Sequence, residues 1–129
     1  MRKKRPSVCD QAVKFVLTRN PEDLGSLTGA DIAREIGVNP IYLLRKFKGV
    51  QKIALKDFIV RQKIHTAVFI LEKHQEPSVE ELAKKLGFLN LNQFNEAFRN
   101  YIGVEPRTYQ NLIEHRNPKF PNRSLLANA

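Results

Sequence analysis

The stretch TGADIAREIGVNPIYLLRKFK, residues 28–48, returns about fifty residues later as SVEELAKKLGFLNLNQFNEAFR, residues 78–99. Thr28 matches Ser78, Ile32-Ala33 matches Leu82-Ala83, and Gly37 matches Gly87. After a one-residue insertion the register resumes: Asn39 with Asn90, Leu43 with Phe94, Phe47 with Phe98, Lys48 with Arg99, and further on Phe58 with Tyr109. Each copy spells helix, tight glycine turn, helix. A small alanine lets two helices cross closely and glycine permits the sharp turn, which is the helix-turn-helix arrangement. One such match occurs by chance in many bundles. Two at matched offsets, with a long helical pattern between them, define the architecture: all-α, two helix-turn-helix subdomains joined by a long connecting helix.

The flanking residues fit the same grammar. Val8, Ala12, Phe15 and Val16 recur at helical spacing between Ser7 and about Arg19, whereas Asn20-Pro21-Glu22-Asp23 and Gly25-Ser26 have loop composition. Thr28 is a cap for a helix ending at Gly37, and Asn39-Pro40 starts a third helix that should run to about Lys48. The connecting helix is expected over 55–73, with Ile59, Ile64, Ala67, Val68 and Leu71 on its pattern. Pro77-Ser78 opens the next helix, Gly87 stops it, Asn90 starts another that ends near Ile102-Gly103, and Glu105-Pro106 opens a last one. The expected division is a basic head at 1–9, a binding domain at 10–112 and a weakly patterned tail at 113–129. No segment alternates with period two.

Composition narrows the function. Among 129 residues, 22 Lys+Arg face 13 Asp+Glu, a formal charge of +9. Such an excess points to a polyanion, either nucleic acid or an acidic membrane surface. No apolar run approaches a membrane span. One cysteine excludes an internal disulfide framework and fits a reducing compartment, so the cytoplasm is expected.

The second copy, with Ser78-Val79-Glu80-Glu81-Leu82-Ala83, Gly87-Phe88, Asn90, Phe94, Phe98, Gly103, Pro106 and Tyr109, resembles the signature of the AraC/XylS family of bacterial transcription regulators. The first copy, with Ile32-Ala33, Gly37, Asn39, Tyr42-Leu43, Arg45 and Phe47-Lys48, resembles that family's upstream motif. The likeness covers roughly residues 10–112. Departures are Lys52 for the usual Gly, Ala54 for Ser or Thr, Phe58 for Tyr, Lys63 for Arg, Gln110 for Arg, and Glu96 in a slot commonly held by Arg. The resemblance implies a transcription regulator that binds double-stranded DNA, with RNA polymerase as a further partner and no membrane. The family's ligand-binding or dimerising domain has no counterpart in this length. The chain is thus expected to be a stand-alone member or the DNA-binding part of something longer. Stand-alone members act as monomers on DNA.

Periodicity selects the reading face independently. With Leu43 and Phe47 inward, Ile41, Arg45 and Lys48 turn outward and Leu44 lies on the flank; with Phe94 and Phe98 inward, Asn92, Glu96 and Arg99 turn outward beside Asn95. A recognition helix presents this face to the major groove. Arg45 suits guanine O6 and N7, Ile41 and Leu44 suit thymine methyls, Asn92 and Asn95 suit adenine, and Glu96 suits cytosine N4. Lys48 and Arg99 suit phosphates. The halves are unequally charged: 45–63 holds seven basic residues and one acid, 72–98 three and five. Nineteen residues of connecting helix span roughly 28 Å, against about 34–36 Å between successive major-groove faces, so two helices in adjacent grooves, with some bending, are expected.

Nothing supports catalysis or a bound cofactor. There is no phosphate loop, nucleophile elbow or paired-carboxylate constellation. His65, His74 and His115 have no metal-ligand spacing, and Cys9 has no zinc-ligand neighbours, so a packed, inert thiol is expected. Phe47, Phe58, Phe94 and Phe98 belong to the core. Two classes stay open beside a sequence-specific regulator: an all-α protein-interaction module, favoured by Glu96, and a nonspecific nucleic-acid binder.

Overall fold

Helix starts in this chain are written by capping side chains. In the computed structural model, which describes residues 6–73 and 78–116 with side chains through 113, Ser7, Asn20, Thr28, Asn39, Ser78 and Asn90 each accept a backbone N–H of the helix that follows. Such a cap contributes on the order of 1 kcal/mol. The described residues form α1 (Val8–Leu17), α2 (Pro21–Ser26), α3 (Gly29–Ile36), α4 (Pro40–Gln51), α5 (Leu55–Lys73), α6 (Val79–Lys85), α7 (Leu91–Ile102) and α8 (Pro106–Arg116). The all-α expectation holds, with no strand among the described residues.

The chain divides into two units, Met1–Lys63 and Ile64–Ala129. The first packs Ala12 and Val16 of α1, Leu24 of α2, Ile32-Ala33 of α3 and Leu43 and Phe47 of α4 against Leu55, Phe58 and Ile59 at the start of α5. The second packs Ile64, Ala67, Ile70 and Leu71, further along α5, with Leu82-Ala83 of α6 and Phe94 and Phe98 of α7. Helix α5 therefore serves two cores in succession. Each fully buried Phe or Leu stabilises by about 1.5–3 kcal/mol through removal from water.

Two expectations need correction. Residues 20–26, expected as a loop, contain α2: Asn20 Oδ1 accepts the Asp23 N–H at 2.8 Å, Pro21 opens the helix, and Leu24 is fully buried. Helix α4 passes Lys48 and ends at Gln51, because Lys52 rather than an earlier residue takes the left-handed conformation, at φ 63°. The first and last helices fall where the patterning predicts: α1 begins at Val8, behind the Ser7 cap, and α8 carries the buried Ile113 and runs to Arg116. The basic run at 2–5, His74, Pro77, the side chain of His115 and the stretch beyond 116 lie outside the described residues. His65 is exposed.

Candidate nucleic-acid interface

The repeat extends to individual hydrogen bonds. Thr28 and Ser78 both close capping boxes, with Asp31 and Glu81 as the reciprocal acceptors. Hydrogen bonds from Thr28, side chain first and backbone N–H second, with Arg34 beside it, hold the Asp31 carboxyl below the usual carboxylate range. Gly37 and Gly87 turn the chain at φ 87° and 81°, a conformation that costs any side-chain-bearing residue. The next N–H then bonds back across each turn, Val38 to the Ala33 carbonyl at 2.9 Å and Phe88 to that of Ala83 at 3.0 Å. Helices α4 and α7 are also pinned by equivalent ring pairs, Phe47 with Phe58 at 5.4 Å and Phe98 with Tyr109 at 5.7 Å.

This scaffold aims α4 and α7. On α4, Leu43 and Phe47 are fully buried while Ile41, Arg45 and Lys48 are exposed; Ile41 keeps 66% of its surface and Leu44 47%. On α7, Phe94 and Phe98 are fully buried, Asn92, Glu96 and Arg99 are exposed, and Asn95 is half-buried. In each helix the outward residues form one stripe at three- and four-residue spacing.

Electrostatics separate the two stripes. Arg45, Lys46 and Lys48 form no ion pair among the described residues, so α4 presents uncompensated positive charge. On α7, Arg99 Nη1 meets Glu105 Oε2 at 2.8 Å, and Glu96 adds a negative charge to the stripe. Behind it, the Tyr109 hydroxyl donates to Glu72 Oε2 at 2.6 Å and Arg107 reaches Glu80 at 3.5 Å. An exposed pair such as Arg99–Glu105 contributes about 0–1 kcal/mol to stability, but it competes directly with a phosphate for the guanidinium.

Sequence reasoning missed several contributors. The Arg99–Glu105 pair was legible in principle as opposite charges flanking the Gly103 turn. Leu89, the inserted residue of the second copy, is 81% exposed just before α7, and Tyr42 is exposed on α4. Lys63 Nζ donates to the Gly25 carbonyl at 3.3 Å, tying α5 to the end of α2, and burial lowers its pKa from the ordinary ammonium value. Cys9 is buried as expected, its S–H directed at the Lys46 carbonyl at 3.6 Å, and burial pushes the thiol up. The described residues hold no His/Cys/Asp/Glu group suited to a metal ion and no helix long and apolar enough to cross a membrane.

Two capped helix pairs with exposed second helices define a double helix-turn-helix DNA-binding module. A helix-turn-helix domain family matches residues 32–112. The chain belongs to the AraC family of helix-turn-helix transcription regulators, which bind DNA and are not enzymes. It is 27% identical over 96 residues to the melibiose operon regulatory protein of Escherichia coli K12, covering 74% of this chain and 32% of that protein. The fold is similar to the DNA-binding domain of AdpA, a global transcriptional factor solved with a target DNA (TM-score 0.74, 21% identity, 91% of this chain and 100% of that one). It is similar also to an AraC-type transcriptional regulator from Chromobacterium violaceum (TM-score 0.73, 21% identity, 85% and 95%). The chain spans about a third of the length of the curated relatives it matches.

Proposed function

We propose that this chain reads a specific double-stranded DNA sequence by laying α4 and α7 into adjacent major-groove segments, as a monomer, with RNA polymerase as its protein partner. The observation that carries the reading is the α4 stripe: Ile41, Arg45 and Lys48 stand exposed on a helix fixed from behind by Leu43 and Phe47, with no carboxylate bound to the cations among the described residues. Arg45 is its base reader, bidentate to guanine, and Lys48 its phosphate contact. Ile41 and Leu44 offer apolar contact to thymine methyls. On α7, Asn92 and Asn95 take adenine, Glu96 takes cytosine N4, and Arg99 takes a phosphate after leaving Glu105. The binding domain occupies 10–112, with motifs at 28–48 and 78–99 on either side of the 55–73 helix. A relative named as an operon regulator and a structural neighbour solved on a target DNA support regulation by DNA binding.

Two motifs in one chain are related by sequence repetition, not by a two-fold axis, so no palindrome is required. The expected operator is asymmetric, about two helical turns long, with its strongest preferences under α4. Selection from a random duplex pool, salt-dependent titration and sedimentation of the complex test this together. The expected result is an asymmetric consensus, a steep salt slope and one chain per duplex. Two chains on an inverted repeat would overturn the monomer. A salt slope without a consensus identifies a nonspecific binder, and neither of them an interaction module.

A further inference from the structure

The repeat aligns Gly29 with Val79, each the first helical residue after its cap, and Leu44 with Asn95, each the fifth residue after its cap. The volumes are exchanged. The second copy places a large side chain at the first position, with Val79 5% exposed in its core, and a polar one at the second. The first copy has no side chain at 29 and a leucine at 44. The space is not vacant: a Cβ at Gly29 would lie 3.3 Å from Leu44 Cδ2 and 3.5 Å from Leu55 Cδ2. Leu44 thus folds back over the start of α3, where Leu55, the first residue of α5, also reaches, while 47% of its surface stays open.

We propose that Gly29 and Leu44 form a matched pair, in which Gly29 is a positioning residue that sets the placement of Leu44 and through it one base preference of the first motif. Leu44 is anchored along one edge, so only its outer edge meets DNA. In the second copy Val79 fills its own core, and the equivalent residue of α7 is an asparagine with no leucine edge to seat. Any side chain at 29 occupies volume that Leu44 now uses. The first added carbon demands a shift of a few tenths of an ångström, and a branched one displaces the leucine from its seat. Gly29 touches no DNA in this scheme. Its effect on recognition passes entirely through Leu44. The scheme rests on α4 being a base reader, as proposed above.

The test is a cycle of Gly29→Val, Leu44→Asn and the double substitution, which moves the second copy's pair into the first. Thermal melting of the full chain reads the packing and selection from a random duplex pool reads the base preference. Gly29→Val and Leu44→Asn should each lower the melting midpoint by several degrees, the first by overfilling the site and the second by emptying it. The double substitution should recover a large part of the loss. Selection with Gly29→Val should weaken preference at one base pair under α4, leave the others in place, and move that position toward adenine in the double variant. Additive melting losses would overturn the pair. So would a wild-type consensus that Gly29→Val leaves unchanged or weakens uniformly, since a merely structural role predicts that outcome. A wild type that selects no consensus sinks the base-reading role of α4, and with it the recognition half of this proposal, whereas the melting cycle still decides the pair.

Discussion

Lys48 in α4 and Arg99 in α7 hold the same slot of the repeat, and six residues beyond them stand Ala54 and Glu105. That single difference changes what each cation can do. Arg99 is engaged by a carboxylate at 2.8 Å, whereas Lys48 has no ion-pair partner among the described residues. The inward halves of the two motifs have stayed alike down to capping boxes, glycine turns and ring pairs, while the outward halves have diverged in charge, size and polarity. Burial constrains one side of a recognition helix, because a changed core volume costs several kcal/mol, and leaves the other side to vary at little cost to folding.

If the inward halves are equivalent, breaking either should cost alike. Phe47→Ala and Phe98→Ala remove one fully buried ring apiece, and each should destabilise the chain by about 3–5 kcal/mol in urea denaturation. A loss below about 1 kcal/mol for one of them would break the symmetry.

The outward halves should respond unequally. Arg45→Ala should cost about 1–3 kcal/mol on a selected site and relax one base pair. Competitive titration checks this, and equal loss on random duplex would reassign Arg45 to phosphate. A finer probe copies one half onto the other: Glu105→Ala gives the second motif the residue the first has at Ala54. Release of Arg99 should raise nonspecific affinity a few-fold because no ion pair has to break first, while Lys48→Ala should make the log–log salt slope shallower by about one. An unchanged affinity after Glu105→Ala would mean that Arg99 meets no phosphate.

The smallest effect lies at the helix ends. Lys52 and Gly103 are equivalent, both left-handed, at φ 63° and 103°. Lys52→Gly should relieve strain and stabilise by about 0.5–1 kcal/mol, read as a raised melting midpoint. A lowered midpoint would show that Lys52 earns its conformation through contacts of its stem.

Much of this was legible before any coordinates. The caps at Thr28, Asn39, Ser78 and Asn90 and the turns at Gly37 and Gly87 carry their geometry in their chemistry, so the helix boundaries around them follow from sequence. The burial of Phe47, Phe58, Phe94 and Phe98 follows from spacing. Helix α2 was hidden because Pro21, Gly25 and Ser26 have the composition of a loop, and what decides for helix is the burial of Leu24, a tertiary fact. The Asn20-Pro21 start nevertheless uses the same grammar as Asn39-Pro40. The extension of α4 to Gln51 had no sign, since Lys52 does the work that glycine does elsewhere. At the candidate interface the exposed stripes were predictable, but the Leu44 seat and the engagement of Arg99 depend on side-chain placement that periodicity does not encode.

The chain's only sulfur nucleophile is also its most sheltered reporter. Cys9, on the inner face of α1, is 2% exposed with its S–H directed at the Lys46 carbonyl of α4, and burial raises its pKa. A thiol reagent reaches so buried a sulfur through an opening of α1, from fraying of its first turn to unfolding of the first unit, so the labelling rate is expected to report on that end of the fold. The two copies of a duplicated motif are usually hard to watch separately. Here a single native atom sits in the core of one of them.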